Sequence, residues 1–269
     1  MLTRVISGAV LLALTLALLF AGGMPLAVVV MLLSVSAFHE LTGACGLKKH
    51  ILTYAGYAGT VVYYLAIILG AAPVYWMAVV AMVFFAMMSV YVFSFPKIHA
   101  DQVMTAFFCF LYGTVLFAFL YLTRNLENGI YLVWLIFISS WVCDTCAYFV
   151  GVTMGKHRLA PVLSPKKSIE GAVGGIVGSA VVGSLYGYLF LQKLYTGQNM
   201  IWITALICAA GAVISQIGDL AASGIKRDHE IKDYGKLIPG HGGIMDRFDS
   251  VLFTAPIIYY LAILMIHFE

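Results

Sequence analysis

Long apolar stretches, broken by short clusters of glycine, proline and charge, run from one end of the chain to the other. A bilayer core about 30 Å thick takes about 20 apolar helical residues to cross. Nine stretches of that kind are drawn near 5–21, 24–38, 51–69, 73–95, 103–122, 130–150, 171–191, 201–222 and 250–267. Gly22, Gly23 and Pro25 separate the first two, and the second is short, so eight spans result if these two form a re-entrant hairpin. The pattern predicts an all-α, polytopic integral membrane protein with about nine transmembrane helices. No small-x-small cleavage site follows the first stretch, so it is expected to stay as an anchor rather than leave as a signal peptide.

Composition strengthens this picture, with 62% hydrophobic and 10% charged residues and a mean hydropathy of +0.99, far from the soluble balance. A net charge of +3 says less than its placement. With the N-terminus inside, thirteen of the fifteen lysines and arginines fall in inward loops and two, Arg124 and Lys193, outside. That is the positive-inside pattern, and it puts both long polar loops in the cytoplasm, on the inner face of the cell membrane. The cysteines lie mostly in apolar segments, and Cys143-x-x-Cys146 lacks the second ligand pair of a zinc site.

Residues 1–128 read as apolar helices with short turns, and residues 129–269 as helices alternating with charged, glycine-rich loops, within one continuous membrane domain. Chemistry is expected in the second region. Gly171, Gly175, Ser179 and Gly183 form an i+4 stripe, beside Gly174 and Gly178, that admits another helix closely. It would suit a homodimer or packing within one chain.

Asp144 and Asp219 sit in or near the ends of apolar helices, where a carboxylate is costly unless it meets a wet cavity, a cation or a polar partner. The stretch from Ser223 to Asp249 is denser still. Lys226, Arg227, Lys232, Lys236 and Arg247 would suit a polyphosphate. Gly240, Gly242 and Gly243 around His241 would let backbone N–H groups approach phosphate. Asp246 and Asp249 offer hard oxygens, and magnesium is their natural partner. Cations for phosphate with carboxylates for Mg2+ are the equipment of phosphoryl or nucleotidyl transfer. The pattern G-x-x-x-x-G-K-[ST] of a Walker site is absent.

The order of these residues resembles the signature of the phosphatidate cytidylyltransferase (CDP-diacylglycerol synthase) family. It is met at Ser223, Ile225, Lys226, Arg227, Lys232, Asp233, Gly235, Ile238, Pro239, His241, Gly242, Gly243, Ile244, Asp246, Arg247, Phe248 and Asp249. Upstream, Asp144, Ala147, Tyr148 and Gly151 look like the family's D-x-x-A-Y-x-x-G, followed by Gly155-Lys156 and by Ser164 to Gly171. The resemblance covers roughly the C-terminal half. It implies a Mg2+-dependent membrane enzyme that takes CTP and phosphatidic acid to CDP-diacylglycerol and pyrophosphate among membrane lipids, with no nucleic acid involved. It also implies metal binding by Asp144, Asp219, Asp246 and Asp249, and phosphate binding by Lys166, Lys167, Lys226, Arg227 and Arg247, with Ser223, Gly242 and Gly243 at the substrate. His241 would donate to a phosphate oxygen or make a structural hydrogen bond within the turn, and Asp233 and Glu170 would orient the cations. Two other readings compete: a CTP-dependent polyprenol or phytol kinase, and an ion-coupled transporter with buried Asp144 and Asp219.

Overall fold

The computed structural model of the chain describes residues 2–238, 240 and 242–266, with side chains from residue 8 onward. The expected roles of Pro239 and His241, and the side chain of Arg4, lie outside the described residues. Among the described residues, nine long helices follow one another: α1 (Leu2–Ala21), α2 (Gly23–Ala44), α3 (Ile51–Ile68), α4 (Pro73–Phe93), α5 (Ala100–Arg124), α6 (Gly129–Met154), α7 (Ile169–Leu191), α8 (Met200–Asp228) and α9 (Met245–Met265). Helices α2 to α9 are each long and apolar enough to cross a membrane. The protein is therefore an all-α, multi-pass membrane protein. A two-stranded antiparallel hairpin, β1 (Arg158–Ala160) and β2 (Ser164–Ser168), lies between α6 and α7.

Packing divides the chain into two units, residues 1–121 with 229–247 and residues 122–228 with 248–269. The glycine-rich loop thus folds with the first helices. In this first unit, α4 buries only Val79, Val83 and Met87, one narrow stripe, while Tyr75, Met77, Phe85 and Phe93 face outward as lipid-facing residues do. Helix α2 is gripped more tightly. A Cβ on Gly113 of α5 would lie 2.9 Å from the backbone N of Phe38, and Gly56 of α3 receives the Phe38 ring. Buried hydroxyls tie the same three helices, with Ser34 Oγ and Tyr64 Oη 2.6 Å apart and Thr60 Oγ1 and Thr114 Oγ1 2.8 Å apart. Without water as a competitor inside the bilayer, such bonds add directed contacts where apolar packing alone is weakly specific.

In the second unit the small-residue stripe of α7 is consumed within the chain. A Cβ on Gly171 would lie 2.7 Å from the carbonyl oxygen of Ala147 on α6, and one on Gly175 would lie 2.8 Å from Cys143 Sγ. On the other side, Gly183 faces Cys208 of α8, where the clearance would be 2.6 Å. Packing within one chain thus accounts for the stripe, and Cys143 packs against a glycine. Helix α6 contains a π turn at Ile138–Val142, immediately before Asp144. The extra residue of such a turn shifts the register of the helix beyond it and so resets where Asp144 points.

Candidate functional site

Three elements of the second unit bring three of the four sequence-predicted metal-binding acids together. Asp144 lies on α6, Asp219 on α8 and Asp249 near the start of α9. Gly218 makes the last approach feasible, since a Cβ there would lie 2.8 Å from Phe253 Cβ and 3.0 Å from the Asp249 carbonyl oxygen. Asp144 and Asp249 each feel the charge of Asp219, and Asp249 also feels that of Asp144. Three carboxylates at this depth call for positive charge. It comes from Lys167, whose Nζ pairs directly with Asp219 Oδ2, and from Lys226, close enough to act on Asp249.

Lys167 reaches Asp219 because the hairpin places β2 over the start of α7. Ser168 Oγ accepts the Gly171 N–H at 3.1 Å and caps α7. Glu170 accepts from the backbone N–H groups of Lys156 (3.0 Å) and His157 (3.2 Å), and its Oε1 stands 2.6 Å from His157 Nδ1. The strands' other anchor is the Ile169 N–H donating to the His157 carbonyl at 2.9 Å. Losing the Ser168 cap typically costs about 1 kcal/mol. Ser168→Ala is accordingly expected to lower the thermal midpoint of the purified protein, whereas Ser164→Ala, on the same strand, should leave it in place.

Asp144, Asp219, Lys166 and Lys167 line a cavity of about 570 Å³. Arg158 of β1 also faces it, a cation that sequence reasoning counted only as an inside charge. Gln216 was missed altogether. One turn before Asp219, its Nε2 donates to the Ala172 carbonyl at 3.1 Å and to Cys143 Sγ at 3.4 Å, so it fastens α8 to both α7 and α6 beside the acids. A lone amide in an apolar helix, one turn from a carboxylate, was the available signal. Tyr148 and Val152, 66% and 69% exposed, form an apolar part of the same wall. Ser223, Lys226 and Arg227 follow Asp219 along α8 itself, which runs to Asp228 instead of ending near 222.

The remaining predicted residues belong to the first unit. For Asp246 the structure shows a task the sequence did not suggest: its Oδ2 accepts the Tyr234 N–H at 2.8 Å and the Gly243 N–H at 3.0 Å. Gly243 thus donates to a carboxylate of its own chain. Gly242, at φ +86°, has the left-handed backbone that favours glycine, and a Cβ there would lie 2.8 Å from Asp246 Oδ2. A further carboxylate escaped the sequence reading. Glu40 of α2, 7% exposed, accepts the Ile244 N–H at 3.0 Å and the Met245 N–H at 2.9 Å, and both Gly235 and Gly243 lie where a Cβ would strike it.

The donors suit a hard divalent cation in kind, for Asp144, Asp219 and Asp249 present carboxylate oxygens to one another's fields. Among the described residues, no three His, Cys, Asp or Glu side chains are gathered closely enough to hold a metal as they stand. The positive charge at Asp219 is the Lys167 ammonium.

A cavity lined by two acids, three cations and apolar side chains can hold a polyphosphate near a membrane. Comparison with known proteins leads to the same kind of chemistry. A Staphylococcus haemolyticus protein named phosphatidate cytidylyltransferase is 39% identical over 166 residues, 60% of this chain and 61% of that protein. Proteins of the same name from Staphylococcus epidermidis and Staphylococcus aureus are each 34% identical over 97% of this chain and 98% of their own length. The profile of the cytidylyltransferase family matches residues 2–265. With that match spanning every membrane helix, the hairpin and the glycine-rich loop, the chain belongs to the cytidylyltransferase family.

Proposed function

We propose that the protein is a phosphatidate cytidylyltransferase, transferring CMP from CTP to phosphatidic acid and releasing pyrophosphate. One observation carries this reading: the wall that holds Asp144, Asp219, Lys166, Lys167 and Arg158 also holds the exposed Tyr148 and Val152. An enzyme that joins a water-soluble nucleotide to a lipid needs ionic and lipid-compatible surfaces in one cavity. The names of the full-length relatives support the same substrates.

In this reaction a phosphate oxygen of phosphatidic acid attacks the α-phosphorus of CTP. A new P–O bond forms, and the bond to the β-phosphate oxygen breaks. A phosphate monoester, with a second pKa near 6, is already largely dianionic near pH 7, so no side chain has to remove a proton. The larger obstacle is repulsion between two polyanions. Lys166, Lys167 and Arg158, fixed by the hairpin, offset it in the cavity, and Lys226 and Arg227 extend the positive surface along the last turns of α8. Asp144, Asp219 and Asp249 would hold Mg2+, which supplies neutralisation of phosphate charge and of the departing pyrophosphate. Asp246 keeps the loop closed around Tyr234 and Gly243. The thirteen-to-two placement of cations supports a site opening to the cytoplasmic side of the cell membrane.

Purified protein in mixed micelles with phosphatidic acid, radiolabelled CTP and Mg2+ is expected to move label into lipid with equal pyrophosphate release. EDTA should stop both. Release of CDP in place of pyrophosphate would replace this reading with a lipid kinase, and failure of folded protein to label lipid at all would end it.

A further inference from the structure

We infer that Glu40 is a positioning residue for this reaction: from α2, its carboxylate fixes the first turn of α9 and so aims Asp246 and Arg247. This rests on the cytidylyltransferase reading for what those residues do, and on geometry alone for how they are held.

Glu40 is nearly buried, yet among the described residues no ammonium or guanidinium lies within ion-pair distance of it. A buried carboxylate with no counter-ion is costly unless hydrogen bonds and local dipoles replace the lost water. Here one oxygen takes the Ile244 N–H and the other takes the Met245 N–H, two of the donors that the start of α9 cannot satisfy internally. The positive end of the helix dipole complements the charge. Both oxygens are used, so the backbone at Ile244 and Met245, where α9 begins, is held at two points.

Asp246 completes the arrangement from the other side. It reaches back from the first turn of α9 to Gly243 and Tyr234, so two carboxylates hold four backbone donors, the successive N–H groups of Gly243, Ile244 and Met245 and that of Tyr234. The glycines follow from this. Side chains at Gly235 and Gly243 would occupy the space of the Glu40 carboxylate, and one at Gly242 would press on Asp246. In this structure, these glycines make room for carboxylates. Glu40 itself has little freedom to drift, because Phe38, two residues earlier, is clasped between Gly56 and Gly113.

Glu40→Gln keeps the size but replaces one acceptor by an NH2 group, which faces an N–H. We expect faster amide hydrogen exchange over residues 243–247 with α7 unchanged, and kcat for CMP transfer lower by about 10- to 100-fold, as for other supporting partners. KM for phosphatidic acid should stay within about twofold, since the loss falls on the reacting arrangement rather than on lipid binding. Unchanged kcat, or a lower kcat with unchanged exchange at 243–247, overturns the inference. Should Glu40→Gln fail to fold, Gly235→Ala and the double variant Gly235→Ala with Glu40→Asp decide the matter. The shorter Asp makes room for the added methyl, so the double variant is expected to be more active than Gly235→Ala alone, and equal or lower activity overturns the inference. Absence of CMP transfer by the wild type would refute the reaction, while the exchange data judge the hold of Glu40 on α9 separately.

Discussion

Asp219→Asn is expected to give a folded, membrane-inserted protein whose CMP transfer is slower by about a thousandfold, the scale on which removing a preorganised charge at a reacting centre acts. Asp219 is the member that connects the site. It pairs with Lys167 of the hairpin, and its charge is felt by both Asp144 and Asp249. Its side chain is 26% exposed, so the change to an amide of equal size leaves no buried void and removes one of three charges that would bind Mg2+. Lys167, 27% exposed, keeps access to water and to the remaining acids, which is why the fold should survive. The check is the initial rate of lipid labelling across a Mg2+ titration, with Asp228→Asn, exposed at the end of α8, as a control that should match wild type. A variant that retained a tenth or more of the activity would remove Asp219 from the centre of the mechanism.

The acids of this site were legible in the sequence because the bilayer makes every carboxylate in an apolar run conspicuous. The helices were legible for the same reason, and the nine expected stretches correspond to nine helices among the described residues. Their ends were less so. Hydropathy stops where charge begins, but α8 continues through Lys226 and Arg227, good helix formers whose cations suit the negative C-terminal end of the helix. At α9 the reverse occurs. The helix starts at Met245, ahead of the apolar stretch drawn from near 250 and with Asp246 and Asp249 in its first turns, because Glu40 and Asp246 satisfy donors around its start.

What stayed hidden depends on distant partners. Ser164–Ser168 reads as Ser-Pro-Lys-Lys-Ser, with neither alternation nor β-branched residues, and becomes a strand through pairing with β1. Glu40 lies 204 residues from Ile244 in sequence. On its own it reads as an interfacial acid just past an apolar run that was expected to end at 38. Nothing local distinguishes a carboxylate that faces water from one that closes a loop. The same limit applied to the glycines. Their spacing suggested backbone donors for phosphate, whereas in the structure Gly242 and Gly243 make room for acidic side chains.

The stripe on α7 has the second large expected effect, through stability and activity together. Gly171→Ala would put its methyl 2.7 Å from the Ala147 carbonyl oxygen, 2.9 Å from Ser168 Oγ and 3.2 Å from Gly151 Cα. Two of these are backbone atoms of α6 and cannot turn aside as a flexible side chain would, so α6 and α7 must separate. Overpacking of this kind costs about 1–3 kcal/mol, and should appear as a lower thermal midpoint. Activity should suffer more than stability suggests. Ala147 is one turn beyond Asp144, so a helix displaced at Ala147 carries Asp144 away from Asp219, and misplacement by about 1 Å can cost on the order of a hundredfold in rate. Gly171→Leu is expected to prevent recovery of monodisperse protein. Val173→Leu, two residues on and 55% exposed where lipid would lie, should alter neither property. If Gly171→Ala kept both the midpoint and the rate of the wild type, the close contact between α6 and α7 would not be what holds the acids in register.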